Sequence, residues 1–78
     1  MHRLAPDLLV VFKPSGHQED EHAHARRQRL FVLRGKLLVR TRRRSLVLRP
    51  RDPAITLRAN QRHATTALAD TWVIAEYP

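Results

Sequence analysis

The segment His22-Ala23-His24-Ala25-Arg26-Arg27-Gln28, together with Gly35 and the distant His63, carries the residues best suited to chemistry in this chain. Neutral imidazole is the commonest protein ligand for transition metals such as Zn, Fe, Ni and Cu. His22 and His24 are two positions apart, so on a strand both side chains project from one face and form a bidentate clamp. Gln28 follows after a gap long enough for a tight turn, which returns it on the next strand facing the clamp. His63 lies far along the chain, and only a closed sheet brings it near. Three imidazoles and one oxygen leave a position open for water or substrate, as catalytic rather than structural metal sites do. The competing reading is a set of surface histidines, because His17, Glu19, Asp20 and Glu21 make the same stretch polar.

The elements that must position these residues are strands. Residues 7–13 are rich in Leu and Val and end at the turn signal Pro14-Ser15-Gly16. Residues 17–24 are polar and hold the first histidines. Residues 28–41 are apolar and β-branched, interrupted by Gly35, which predicts a bulge or a sharp bend. Arg42-Arg43-Arg44 separates two apolar runs and reads as a hairpin tip, where like charges are easily solvated. Pro50 and Pro53 cannot donate ladder hydrogen bonds, so no central strand runs through residues 49–53. Further short strands follow at 54–57, 63–68 and 71–77, with a polar loop at 58–62 and a tight connection at Ala69-Asp70. The sum is about seven or eight short strands, spaced as in an all-β sandwich or barrel.

The chain has 78 residues, enough for one domain over residues 1–78. A domain of this size buries only about 60% of the surface of its unfolded chain, so a metal, disulfides or a partner subunit often supplements the core. There is no cysteine, which leaves a metal or a dimer. No apolar run approaches the roughly 20 residues of a membrane helix. Residues 1–6 lack the apolar core of a secretory signal, so a cytoplasmic location is expected. Fifteen basic residues against seven acidic ones give a net charge of +8. Anionic ligands, lipid head groups or nucleic acid would be attracted, or the arginines reflect a compositional preference alone. Few aromatic residues accompany the arginines, so the stacking platform for single-stranded nucleic acid is missing and this partner ranks last. No nucleophilic apparatus is visible: Ser15 and Ser45 sit in turns, and Gly16 and Gly35 are too sparse for a phosphate loop.

The distances between these residues carry a resemblance. Gly16, His22, His24, Gln28 and Gly35 keep every spacing of the first motif of the cupin superfamily, G-x5-H-x-H-x3-E-x6-G, with Gln28 where glutamate is usual. Phe31-Val32-Leu33-Arg34-Gly35-Lys36-Leu37 resembles the strand and turn that follow, and Leu48-Arg49-Pro50-Arg51-Asp52 resembles a later turn with Arg51 in place of glycine. In the second motif His63 is kept, while Arg58, Asn60 and Ala67 stand where proline, glycine and asparagine are expected. The resemblance implies a small double-stranded β-helix, a jelly-roll-type barrel of the RmlC-like kind. It implies that His22, His24, Gln28 and His63 surround one divalent transition metal (Zn, Fe, Mn, Ni or Cu), and that two chains pair as a homodimer. The implied activity is that of a metal-dependent oxygenase or isomerase acting on a small, anionic organic molecule. A non-catalytic ligand-sensing or interaction module is the alternative.

Gln28 in the carboxylate's place changes the electrostatics. With three neutral imidazoles and a neutral amide, a divalent ion keeps its full charge, binds less tightly and favours an anion at its open position. The amide NH2 could instead hydrogen-bond a water, or the substitution could mark a site that has lost its metal. Asp20 shares strand parity with His22 and is the candidate acceptor for an imidazole N–H, whereas Glu21 has the opposite parity and faces solvent. Glu76 is a general base or, more simply, a surface charge. Phe31 and Trp72 are expected in barrel or dimer packing, and Arg26 and Arg27 at the turn between the ligand strands.

Overall fold

A computed structural model describes residues 2–78. It contains nine strands: β1 (His2–Ala5), β2 (Leu8–Lys13), β3 (Gln18–His22), β4 (Gln28–Arg34), β5 (Leu37–Thr41), β6 (Ser45–Leu48), β7 (Ile55–Leu57), β8 (His63–Ala67) and β9 (Thr71–Glu76). β1 is the strand not anticipated. It is fully exposed and only four residues long, and it forms by antiparallel pairing with β2 rather than by burying an apolar face. Among the described residues there is no helix, and so none long and apolar enough to cross a membrane.

The strands form two antiparallel sheets, one ordered β1-β2-β9-β4-β7 and the other β3-β8-β5-β6. Their inner faces hold the core of Leu30, Val32, Leu37, Val39, Leu48, Leu57, Val73 and Ala75. Side chains alternate between faces along a strand, so each core residue fixes the direction of its neighbours two positions away. In β4, Leu30 and Val32 point inward, and Gln28 shares their phase and is buried with them. In β8, buried Thr65 and Ala67 carry His63 inward in the same way. In β9, Thr71, Val73 and Ala75 face the core, while Trp72 faces out and meets Phe12 of β2 at a ring-centroid distance of 4.9 Å. Trp72, expected in barrel or dimer packing, therefore lies on the outer face of its sheet and not in the barrel interior.

The turns follow the local chemistry of the sequence. The stretch 28–41 is two strands in different sheets, separated at Gly35, so the glycine marks a sharp bend. Gly35 has φ +96°, and a Cβ there would lie 2.4 Å from the Asp70 carbonyl oxygen and 2.8 Å from Thr71 Cα. Thr71, wholly buried, locks this junction: its hydroxyl accepts from the Lys36 N–H, and its single O–H has the carbonyls of Ala69 at 2.7 Å and Lys36 at 3.0 Å as acceptors. Arg42-Arg43-Arg44 is the β5–β6 hairpin tip, closed by the Thr41 N–H on the Arg44 carbonyl. In the turn after β6, the Asp52 carboxylate accepts from the Arg49 N–H at 2.7 Å, and Arg51 adopts φ 72°, the left-handed conformation for which glycine is usual.

The two motif glycines therefore serve different needs. Gly16 has φ +86° but open space around it, whereas Gly35 has both a left-handed backbone and neighbouring main chain where a side chain would go. We expect Gly16→Ala to cost about 1–2 kcal/mol from backbone strain alone. Gly35→Ala should cost at least about 1–2 kcal/mol more, because main-chain atoms must move. Urea unfolding monitored through Trp72 measures both, and equal losses would contradict this assignment.

Candidate metal centre

His22, His24 and His63 meet at one end of the barrel interior. One nitrogen from each ring lies within 4.8 Å of the others, and the ring centroids are 4.4 Å apart for His22–His63 and 4.8 Å for His22–His24. His22 and His63 are brought together by the β3–β8 ladder, in which they are directly opposed. His24 arrives differently from the expected strand clamp. β3 ends at His22, so His24 lies in the connection to β4 and does not share a strand face with it. A hydrogen bond from the Asn60 N–H to the His24 carbonyl, 2.6 Å long, ties this connection to the loop before His63. Asn60 adopts φ 63°, so the asparagine does what the expected glycine would do there.

Two of the rings are held by main-chain hydrogen bonds. His22 Nδ1 lies 2.7 Å from the Asp20 carbonyl oxygen, and His63 Nδ1 lies 3.1 Å from the Gln61 carbonyl. Each carbonyl can accept only from an N–H, so both rings carry a proton on Nδ1, and in the neutral ring Nε2 is the lone pair left to coordinate. This is how ligating histidines are commonly oriented. The acceptor for His22 is the Asp20 main chain and not, as parity suggested, the Asp20 carboxylate. Gln28 lines the same cavity and donates its amide N–H to the Tyr77 hydroxyl at 2.9 Å, which leaves its carbonyl oxygen as the atom it can offer an ion. The three imidazoles are a donor type that suits divalent transition metals, and Gln28 lines the cavity beside them. Ligands about 2.0–2.2 Å from one ion require only a modest contraction of the present cluster.

The cavity has a volume of about 210 Å³ and is lined by the four candidate ligands, by Leu9, Val11, Leu30, Leu37, Val73 and Ala75, and by Lys13, Glu19, Thr65 and Tyr77. The last four were not anticipated. Lys13, Thr65 and Tyr77 were legible, because each shares phase with inward residues: Lys13 with Leu9 and Val11, Thr65 with His63, and Tyr77 with Val73 and Ala75. Glu19 was not. Glu19 pairs with Thr65 and His22 with His63, so three steps along β3 match two along β8. This bulge resets the parity and turns Glu19 and His22 to the same side, leaving Asp20 and Glu21 exposed. Glu19 holds an ion pair with buried Lys13, and its second oxygen lies 3.7 Å from His22 Nε2. Burial raises the Glu19 carboxyl, but the bond and charge of Lys13, aided by His22 and His17, outweigh it and hold the group below its ordinary value.

The remaining candidates lie elsewhere. Glu76 points outward and pairs with Arg29 at 3.0 Å, as a surface charge does. Glu21 pairs with Arg62 on the exposed face. Arg26 lies at the barrel mouth beside His24, held by Asp7 at 3.0 Å and by the Tyr77 carbonyl. Phe31 packs on the outer face under the Arg29 guanidinium.

Solved structures with the same architecture share one fold family. A cupin superfamily protein from Desulfitobacterium hafniense superposes with a TM-score of 0.79 at 13% identity, covering 96% of this chain and 71% of the other. The chain has the cupin fold. KdgF from Halomonas sp. matches with a TM-score of 0.73 at 27% identity, covering 91% of this chain and 67% of that one. Drosophila melanogaster CENP-C, in a structure bound to CAL1, matches at 0.79 and 13%, covering 100% of this chain and 69% of that one. No protein-family model matches the sequence, and no curated protein matches it. Structural likeness at such low identity is expected where a cupin is kept by inward-facing positions and turns while the outer surface varies.

The histidine cluster also makes the stability of the fold sensitive to acid. Burial pushes His24 below the ordinary histidine value, and the charge of His22 adds to it, against Glu19. Burial likewise lowers His63, opposed by its bond to the Gln61 carbonyl and by Glu19, and reinforced by His22 and His24. Below about pH 6.5 the unfolded chain binds protons at these positions that the folded chain resists. Their contribution to stability is therefore complete above that pH and is lost as the pH falls. Thermal melts of metal-free protein at pH 7.5, 6.5 and 5.5 should show a decreasing Tm, with a shallower fall in His63→Asn. A Tm that rises on acidification would contradict this.

Proposed function

We propose that the protein is a small metal-binding cupin in which His22, His24, His63 and the carbonyl oxygen of Gln28 hold a divalent transition ion. The observation that carries this reading is the convergence of three imidazoles, two of them fixed at Nδ1 by main-chain carbonyls, on one end of a mostly apolar cavity. A divalent ion there would supply a Lewis acid and an orienting template for a small organic anion at its open position. Oxygen-dependent oxidation and isomerisation of that anion are the reactions compatible with the donor set. The chain's own groups set the conditions. Tyr77 fixes the Gln28 amide, the carbonyls of Asp20 and Gln61 fix the ring tautomers, and the apolar walls restrict water. Because none of the four donors is anionic, the site favours a negatively charged ligand over a neutral one.

The second reading is an interaction module. The CENP-C structure bound to CAL1 is of this fold, and the outer face of the five-stranded sheet here exposes Phe12 and Trp72 side by side. We assign that face to a second copy of this chain, since a core this small gains from pairing. Light scattering of the purified protein should give the mass of a dimer, and Trp72→Lys should give the monomer. A monomeric wild type would remove the dimer from the proposal without touching the metal site.

The metal assignment is tested by elemental analysis of protein purified without a histidine tag. The expected result is close to one transition ion per chain, falling to a tenth of that or less in His24→Ala. Gln28→Glu should restore an anionic ligand and retain the ion at lower free metal than the wild type. A metal content that His24→Ala leaves unchanged would overturn the assignment.

A further inference from the structure

Two loops at one end of the four-stranded sheet bring four arginines together on the surface. Arg42 and Arg43 stand at the β5–β6 hairpin tip, and Arg58 and Arg62 lie in the connection before β8. All four line one pocket of about 370 Å³, which shares no lining residue with the histidine cavity. The register explains why they meet. β5 and β8 pair as far as Thr41 opposite His63, so the next positions along the two chains are Arg42 and Arg62. Both loops are closed turns. The Thr41 N–H bonds the Arg44 carbonyl at 2.8 Å, and the Gln61 N–H bonds the Arg58 carbonyl at 3.1 Å. The Gln61 side-chain oxygen accepts from the Arg58 N–H at 2.9 Å, and Asn60 turns this loop with its left-handed backbone. The main chain that carries the arginines is therefore fixed before anything binds.

Charge identifies what the pocket would bind. Like charges opposite one another on neighbouring strands are destabilising. Of the four guanidinium groups, only that of Arg62 has a carboxylate partner among the described residues, Glu21 at 2.6 Å. The bond and charge of Arg62 hold the Glu21 carboxyl below its ordinary value, and Arg42 is near enough to add to this. One carboxylate among four guanidinium groups leaves three positive charges unmatched. A phosphate group carries about −1.5 to −2 at pH 7, so two of them supply the missing charge. Guanidinium forks grip phosphate oxygens through paired N–H groups. The Gln61 NH2 is a further donor, since its oxygen is already engaged. The arginines surround a pocket rather than follow a stripe, and no aromatic ring lines it, so a small anion fits it better than a nucleic-acid strand. We propose that Arg42, Arg43, Arg58 and Arg62 form a binding site for the diphosphate group of a small molecule. This site does not rest on the metal reading above.

Calorimetric titration of the purified protein with pyrophosphate, phosphate and a short DNA duplex tests the site. One pyrophosphate should bind per chain, about tenfold more tightly than phosphate and more tightly than the duplex. Arg42→Gln and Arg58→Gln should each weaken pyrophosphate about tenfold. Arg34→Gln removes the same charge from an exposed position on the other sheet and should leave the affinity unchanged. His24→Ala should also leave it unchanged, because the histidine cavity takes no part. Equal losses in Arg34→Gln and Arg42→Gln would mean diffuse attraction and overturn the site. So would a loss confined to His24→Ala, tighter binding of the duplex, or failure of pyrophosphate to bind. ADP separates the two sources of a diphosphate. An affinity at or below that of pyrophosphate assigns the site to the free diphosphate, and a tighter one to a diphosphate ester; either supports it.

Discussion

The antiparallel register between β3 and β8 positions most of the interior chemistry. It sets His22 opposite His63 and Glu19 opposite Thr65, joining residues that are far apart in the chain. Both strands lie in the four-stranded sheet, and β8 is clamped on its other side by β5 from Leu37–Ala67 to Thr41–His63. A slip of one residue in either ladder would turn His63 and Thr65 towards solvent. The register is secured by the buried phase of Leu37 and Val39 in β5 and of Ala67 in β8, so core packing and site assembly are one constraint.

Within that frame, the site's electrostatics are arranged by pairing rather than by exclusion of charge. Lys13 is buried inside a small barrel, which would be prohibitive alone but is tolerable with Glu19 bound to it. Burial disfavours the charged form of His24 and His63. The surplus positive charge lies outside, at the Arg42–Arg44 hairpin tip and around the loop before His63, where solvent screens it. The net charge of the chain thus says little about the interior, whose charged groups are paired.

Much of this was legible from residue types and spacing. The period-two alternation of β4, β8 and β9 marks the inward face, and Gln28 and His63 fall in phase with the core residues of their strands. Gly35 announces the bend that sends β4 and β5 to different sheets. The missing glycine of the second motif did not prevent its turn, because Asn60 reaches the left-handed conformation on its own. Some features were beyond a linear reading. β1 exists through its pairing with β2, and His24 joins the cluster from a connection rather than from a strand.

By itself, the sequence determined an all-β barrel, the residue set that could hold a metal, and the turns between its strands. Those follow from local chemistry: side-chain period, φ preference and ligand type. Only the tertiary structure decided that Glu19 rather than Asp20 enters the cavity and that it pairs there with Lys13. The physical reason is the bulge between Glu19 and His22. A bulge is defined by the strand opposite, so its parity shift is fixed only when β3 meets β8.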